Sequence, residues 1–221
     1  VEAPDHSGEF LEVLRNPRHG YGRNVNPCID CKIFMMRKAK ERMEALGADF
    51  VFTGEVLGQR PMSQNRDALK TVERESGLAG RLLRPLSARL LPPTEAERNG
   101  IVDRARLLDI QGRSRKRQLE LAPLFGVTGY GAPAGGCALT DENFARRYLD
   151  RSGHAGPEPC GPEDMVLMSM GRHLRISPRT LLVVGRNLRE NEYLERAWAH
   201  GRLAPTPDHP GPTVLIVGAP D

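Results

Sequence analysis

Long apolar runs are absent from this sequence. No window of 18 consecutive residues is apolar, so we expect no transmembrane helix. Residues 1–6 contain neither the basic stretch nor the apolar core that begins a secretory signal peptide. These two absences predict a cytoplasmic protein that stays out of the membrane. Because Val1 is not Met, we also expect the natural N-terminus to lie further upstream.

Cysteine and lysine are scarce. Four cysteines in 221 residues are too few for a disulfide scaffold and are better interpreted as metal ligands or reactive thiols. The 32 basic residues comprise 27 arginines and only 5 lysines, against 28 acidic residues, which gives a net charge of +4. This mild basicity permits a polyanionic partner without requiring one. Hydrophobic residues make up 39% of the chain, which is enough to fill a core despite 23 glycines and 18 prolines.

Apolar periodicity predicts an α/β fold. Between residues 31 and 46 the apolar side chains recur at helical spacing, and Gly47 follows as a C-terminal cap. Residues 50–53 form a short apolar run that is typical of a buried strand. A helix joined to a strand by a tight turn is a building block of parallel sheets, so we expect a parallel sheet here.

Similar patterns continue along the chain. Further helices are predicted at 9–14, 67–76, 94–99, 113–125, 141–151, 163–170 and 188–200, and further strands at 82–86, 174–176, 180–184 and 213–217. Glycine and proline are concentrated in residues 152–162, which predicts a linker. The predicted domains are therefore residues 1–152 and residues 163–221, and the second is a small α/β unit.

A Cys-x-x-Cys pair, Cys28 and Cys31, stands where the long helix is predicted to begin. The positive field at a helix N-terminus lowers the pKa of a thiol and favours the thiolate. Such a pair can be a redox pair, half of a zinc site or part of an iron–sulfur site. Asp30 lies between the two and could act as an acid or base, although a surface carboxylate is the plainer interpretation.

Two further cysteines extend the candidate ligand set. Cys137 follows two glycines, which allow either a close backbone approach to a bulky cofactor or a plain tight turn. Cys160 lies in the predicted linker and is a weaker candidate. Three ligands would leave one iron of a [4Fe–4S] cluster open, whereas four would suit a closed zinc site.

A cluster of cationic side chains occupies a short stretch after residue 112. It consists of Arg113, Arg115, Lys116 and Arg117. Guanidinium groups match the geometry of phosphate, so these residues are candidates for contact with an RNA backbone. The alternative is an ordinary solvated helix face.

Several segments together resemble the PP-loop ATPases that thiolate tRNA, namely the tRNA 2-thiouridylases and 4-thiouridine synthases. They are residues 26–32 (NPCIDCK), 47–54 (GADFVFTG), 58–64 (GQRPMSQ) and 112–118 (GRSRKRQ). The resemblance runs over residues 8–151. It implies a partial adenine-nucleotide alpha-hydrolase-like domain, that is, a Rossmann-like parallel-sheet fold.

This resemblance implies ATP-dependent thiolation of a tRNA uridine. ATP, with Mg²⁺, would adenylate the uridine carbonyl oxygen, and sulfur from sulfide or a donor protein would then attack. In cluster-bearing members Cys28, Cys31 and Cys137 would hold a [4Fe–4S] cluster. In cluster-free members Cys31 and Cys137 would be the catalytic pair, with Asp30 beside them.

One signature of that family is missing. The Ser-Gly-Gly-x-Asp-Ser segment that binds the ATP phosphates does not occur in the chain. Its absence predicts either an N-terminally truncated enzyme, which we favour, or a relative without catalytic activity.

The C-terminal part has a resemblance of its own. Residues 184–194, beginning Val-Gly-Arg-Asn, resemble the core of the NFACT-type RNA-binding domain, and residues 207–213 stand where that domain has a second loop. The resemblance implies that Arg186 and Asn187 contact RNA. The plain alternative is a small α/β cap that only packs against the first domain.

Two rival functions remain open at this point. One is a non-catalytic RNA-binding protein whose cysteines hold a structural metal. The other is an adenylating sulfur-transfer enzyme that acts on a small molecule.

Overall fold

The structure is a computed structural model, and it describes residues 2–131, 136–154, 160–197, 202–203 and 211–218. Within these residues the fold is mixed α/β, with a two-stranded parallel sheet and a four-stranded antiparallel sheet. The contacts divide the chain into two compact units. The first unit is Glu12–Gly136, and the second unit is Val1–Leu11 with Cys137–Asp221.

The elements up to residue 131 are α1 (Ser7–Arg15), α2 (Cys28–Ala45), β1 (Val51–Phe52), α3 (Arg66–Ser76), β2 (Leu82–Leu83), α4 (Glu95–Arg98) and α5 (Lys116–Leu124). Those that follow are α6 (Glu142–Gly153), α7 (Pro162–Met168), β3 (Arg172–Ser177), β4 (Thr180–Val184), α8 (Leu188–Ala197), β5 (Arg202–Leu203) and β6 (Val214–Gly218). This order of helices and strands agrees with the sequence prediction except for β5, which the sequence analysis did not predict.

Helix α2 packs against α3 and β2 to form the core of the first unit. The buried side chains that meet there are Ile33, Met36, Met43, Val72, Leu78 and Leu82. Gly47 ends α2 with a φ of 63°, in the left-handed region that favours glycine, and the next N–H, of Ala48, bonds to the Met43 carbonyl at 2.9 Å. The predicted cap is confirmed.

The parallel sheet is smaller and more exposed than expected. Strand β1 pairs with β2 alone, Val51 opposite Leu82 and Phe52 opposite Leu83. The prediction of a buried strand was wrong, because β1 has a neighbour on only one side among the described residues and Phe52 is 70% exposed. Two parallel strands show an α/β arrangement but not a Rossmann-like sheet.

A buried ion network ties β1, β2 and α3 together. The Arg84 guanidinium, 2% exposed, donates to Glu55 Oε2 at 3.1 Å and also pairs with Glu73. Glu55 in turn lies 3.3 Å from Lys32 Nζ and accepts the Thr53 hydroxyl at 3.2 Å. Every charge in this network has a partner of opposite sign, which offsets the cost of burying it.

In the second unit, one face of the antiparallel sheet is covered by helices. The strand order is β3-β4-β6-β5. Leu167 of α7 and Leu194 of α8 pack on Leu181, Val183 and Leu215 of the sheet. This face is therefore the core of the second unit.

The linker predicted at 152–162 falls inside the second unit. Residues 155–159 lie outside the described residues, and the division into domains 1–152 and 163–221 stays a prediction. Among the helices that the structure describes, none has the length and apolar content needed to cross a bilayer.

Removal of Arg84 should destabilise the first unit. Arg84→Ala would leave the Glu55 and Glu73 carboxylates without their buried partner, so we expect the free energy of unfolding to fall by about 3–5 kcal/mol. Urea unfolding of the full chain, followed by circular dichroism, measures this loss. Arg74→Ala is the matched control, because the Arg74 side chain is exposed and Glu75 keeps its pairs with Arg18 and His19, so the loss should be less than about 1 kcal/mol. Equal effects of the two substitutions would contradict the account of the network.

Candidate nucleic-acid interface

The loop 184–187 connects β4 to α8 and organises the start of that helix. Asn187 Oδ1 accepts the Glu190 N–H at 3.0 Å, which is the N-cap bond that satisfies a helix terminus. Arg186 donates its backbone N–H to Glu190 Oε2 at 2.9 Å and its Nε–H to Oε1 at 3.0 Å. Both residues predicted to contact RNA are therefore also used to build the helix start.

Glu190 is the point at which two loops meet. Besides Arg186, its carboxylate accepts the Gly171 N–H at 3.2 Å, from the turn that precedes β3. The hydrogen bond from the Arg186 guanidinium, helped by these backbone N–H groups, lowers the pKa of Glu190 to about 2. Glu190 is consequently ionised at neutral pH.

Glycine is required at two positions of this region. A Cβ on Gly185 would lie 2.0 Å from Asn191 Oδ1, the atom that accepts the Thr213 N–H at 3.3 Å. Gly171 has a φ of 65°, and a Cβ there would lie 2.8 Å from Val183 Cγ1. The packing of β4, α8 and β6 depends on these two close approaches.

Arg147 of α6 binds the turn that precedes β3. It donates to the carbonyl oxygens of Met168 at 2.6 Å, Met170 at 3.3 Å and Gly171 at 3.0 Å. Burial lowers the pKa of Arg147, and the nearby positive charge of Arg186 lowers it further. The carboxylates of Asp141 and Glu190 act in the opposite direction on the same guanidinium.

Residues 171–221 match the NFACT protein RNA binding domain. The second unit therefore contains an RNA-binding domain, and the NFACT-type resemblance inferred from residues 184–194 is confirmed. No curated protein and no solved structure matches the chain. The resemblance of the earlier part to PP-loop ATPases stays a prediction, and residues 207–210 of the second predicted loop lie outside the described residues.

The basic cluster of the first unit is arranged differently from the prediction. The helix expected at 113–125 begins only at Lys116, so Arg113 and Arg115 lie in the preceding loop rather than on a helix face. Arg117 lies 3.6 Å from Glu120. Arg113, Arg115 and Lys116 line a shallow groove of about 560 Å³ together with Leu119 and Glu120. A role of these four residues in RNA contact stays a prediction.

A second cavity of the first unit, about 730 Å³, adjoins this segment. Arg113 and Arg115 line it together with Lys32 of α2, the 59–64 loop and Gln118 of α5. Gln59 donates to Gln118 at 3.1 Å across the cavity wall. Because cations outnumber the single lining carboxylate, the cavity is electropositive.

The cysteine pair lies where the sequence placed it. Cys28 and Cys31 occupy the first turn of α2 and are half-buried. The interpretation of Asp30 as a surface carboxylate was wrong: it is 8% exposed and accepts the His19 N–H at 2.9 Å, which fastens the preceding loop to α2. Its catalytic role stays a prediction.

The remaining two cysteines belong to the second unit. Cys137 is exposed at the start of a short 3₁₀ turn, and Cys160 is buried. All four cysteines are among the described residues, and none forms a disulfide. Across the part of the chain that the structure describes, no group of three or more His, Cys, Asp or Glu side chains is arranged to hold a metal ion. The ligand set Cys28, Cys31 and Cys137 stays a prediction.

Sequence reasoning missed Arg147 and Gly171, which help to hold this region together. It included Glu190 and Asn191 in the 184–194 segment but gave neither a role. The spacing of Arg186 and Glu190, four residues apart, is a signal for their ion pair. No comparable signal marks the bond from Gly171 to Glu190, because it joins positions that only the folded sheet brings together.

Substitution of Gly185 should loosen the second unit. Gly185→Ala would force Asn191 from its position, with an expected loss of about 1–3 kcal/mol. Hydrogen exchange of the β4 and β6 amides measures this loss locally. Gly153→Ala is the control, since no atom lies within 4 Å of the added Cβ. Protection of β4 and β6 that is unchanged in Gly185→Ala would refute the packing described.

Loss of the Glu190 charge should change the acid stability of the protein. Because the folded-state pKa of about 2 lies below the ordinary value of 4.5, Glu190 stabilises the fold above pH 4.5, and this contribution disappears as the pH falls to 2. Glu190→Gln should therefore be less stable than the wild type at pH 7, with the difference shrinking between pH 4.5 and 2. Urea unfolding at several pH values measures it. A difference that does not vary with pH would show that the charge has no part in stability.

Proposed function

We propose that this protein binds RNA and that its second unit makes the contact. The observation that carries the proposal is the RNA-binding domain over residues 171–221. The electrostatics of the described part of that domain support it. Three of its arginines, Arg172, Arg179 and Arg189, are exposed and have no acidic partner within the described residues.

Exposed guanidinium groups without carboxylate partners are suited to phosphate. Each presents a planar fork of N–H donors that matches two phosphate oxygens. Contacts of this kind position a nucleic acid without reading its bases, so we expect affinity for RNA with little sequence preference. An uncompensated surface arginine also costs little to hold in water, which leaves it available for a ligand.

The finer hypothesis, ATP-dependent thiolation of a tRNA uridine on a Rossmann-like domain, remains a prediction. One support is the resemblance of residues 26–54 to the PP-loop ATPases that thiolate tRNA. The other is the position of Cys28 and Cys31 in the first turn of α2, because the field at a helix N-terminus favours the thiolate form. ATP with Mg²⁺, the [4Fe–4S] cluster and the sulfur donor belong to this prediction. The transfer of sulfur to a small molecule is its untested alternative.

RNA binding by the full chain should depend steeply on salt. For single-stranded RNA, the slope of log K against log salt should fall in magnitude by about 0.7 for each phosphate contact removed. We expect Arg179→Glu with Arg189→Glu to weaken binding and reduce the slope. Fluorescence anisotropy with a labelled oligonucleotide measures both quantities.

The control changes the net charge of the protein by the same amount, but the substitutions lie in the first unit. Lys70→Glu with Arg98→Glu alters two exposed cations there and should leave the slope near that of the wild type. A wild-type chain that binds no RNA at low salt would disprove the proposed function. Equal losses in both double variants would indicate a general charge effect rather than contact through the second unit.

A further inference from the structure

A small groove lies between α6 and β3 in the second unit. Its volume is about 350 Å³. It is lined by Arg146, Arg147 and Asp150 of α6, by Arg172, His173 and Arg175 of β3, and by Leu181 of β4. Helix α6 precedes residue 171, so one wall of the groove lies outside the matched RNA-binding domain.

Three of the lining side chains are fixed by the fold. Arg147 is held by the three carbonyl groups of the turn before β3. Arg175 pairs with Asp150 through two bonds, at 2.6 and 3.3 Å. His173 Nε2 lies 3.2 Å from the Leu167 carbonyl oxygen and 3.1 Å from that of Met170. The walls are therefore set before any ligand binds.

Two other arginines at the groove lack an acidic partner. Arg146 is exposed and donates to the neutral Asn143 amide at 3.2 Å. Arg172 is exposed and has no carboxylate near it in the described part of the chain. The only carboxylate that lines the groove, that of Asp150, is already paired with Arg175.

The groove is consequently electropositive. Four guanidinium groups line it against one carboxylate. Burial, and then the charge of Arg147, lower the pKa of His173, so that the imidazole is neutral at pH 7. A site with fixed walls whose lining includes two exposed arginines without a carboxylate partner has the chemistry of a receptor for a phosphate group.

We infer that this groove binds a backbone phosphate of RNA through Arg146 and Arg172, and so extends the RNA-binding surface onto α6. The inference rests on the proposed function, since β3 belongs to the RNA-binding domain. Arg147 and Arg175 act as positioning residues that hold α6 against β3. Arg146 and Arg172 are the contacting residues.

The test uses the full chain with Arg146→Gln, Arg172→Gln and the double variant. Each single substitution should weaken binding of a single-stranded RNA oligonucleotide several-fold and reduce the salt slope by up to about 0.7. Arg196→Gln is the control, because it removes one exposed charge from the same unit but lies outside the groove. Circular dichroism and thermal unfolding should be unchanged in all four variants, since the altered side chains are on the surface.

A second measurement reports on the groove directly. The NMR signals of the His173 ring should shift on addition of the RNA oligonucleotide to the wild type, and should shift less in the double variant. Inorganic phosphate at the same phosphate concentration distinguishes the source of the anion. A site for free phosphate would give equal shifts with both ligands, which would overturn the assignment to RNA.

The possible failures are distinguishable. If the wild type binds RNA and all variants bind equally, the groove is not part of the interface, although the proposed function stands. If the wild type binds RNA but the His173 signals do not move, the same conclusion follows. If the wild type binds no RNA, the proposed function and the inference fall together.

Discussion

The carboxylate of Glu190 is the interaction on which the second unit depends. It accepts hydrogen bonds from the turn before β3 and from the loop after β4, while its own helix starts in that loop. One side chain thus links the turn before β3, the loop after β4 and helix α8, in addition to the β3–β4 backbone ladder and the apolar packing of the core. Because the same carboxylate neutralises Arg186, it also reduces the positive charge at the centre of the region, so the unpaired charge lies on other arginines.

This arrangement changes the role expected of the Val-Gly-Arg-Asn segment. Arg186 and Asn187 form the start of α8, and Gly185 makes room for Asn191. The segment is therefore in the first place a structural device that sets the sheet and the helix. In the proposed interface, phosphate is contacted instead by exposed arginines that have no carboxylate partner in the described residues, such as Arg146 and Arg172. Short motifs can mark a binding domain because they build it, even where other residues make the contacts.

Local signals predicted much of the fold. Helices α2 and α3 were placed within three residues from their apolar spacing, and the cap predicted at Gly47 marks the end of α2. The structure adds a second glycine cap in the left-handed region, Gly77 at the end of α3. The apolar run at 50–53 does not by itself predict the exposure of Phe52, because that exposure depends on which strands lie beside β1. Helix α5 begins later than expected. The residues predicted as its first turn, 113–115, are all polar, so they have no apolar side chain to pack as part of a helix. The burial of Asp30 depends on a loop that folds over α2, which no local pattern reveals.

The central claim is that RNA contacts the second unit through unpaired arginines around β3. Ultraviolet cross-linking of the full chain to single-stranded RNA, followed by mass spectrometry of the linked peptides, tests it most directly. The account predicts linked peptides from the second unit, with those from α6 and β3 among the strongest. Linked peptides confined to residues 12–136 would contradict it.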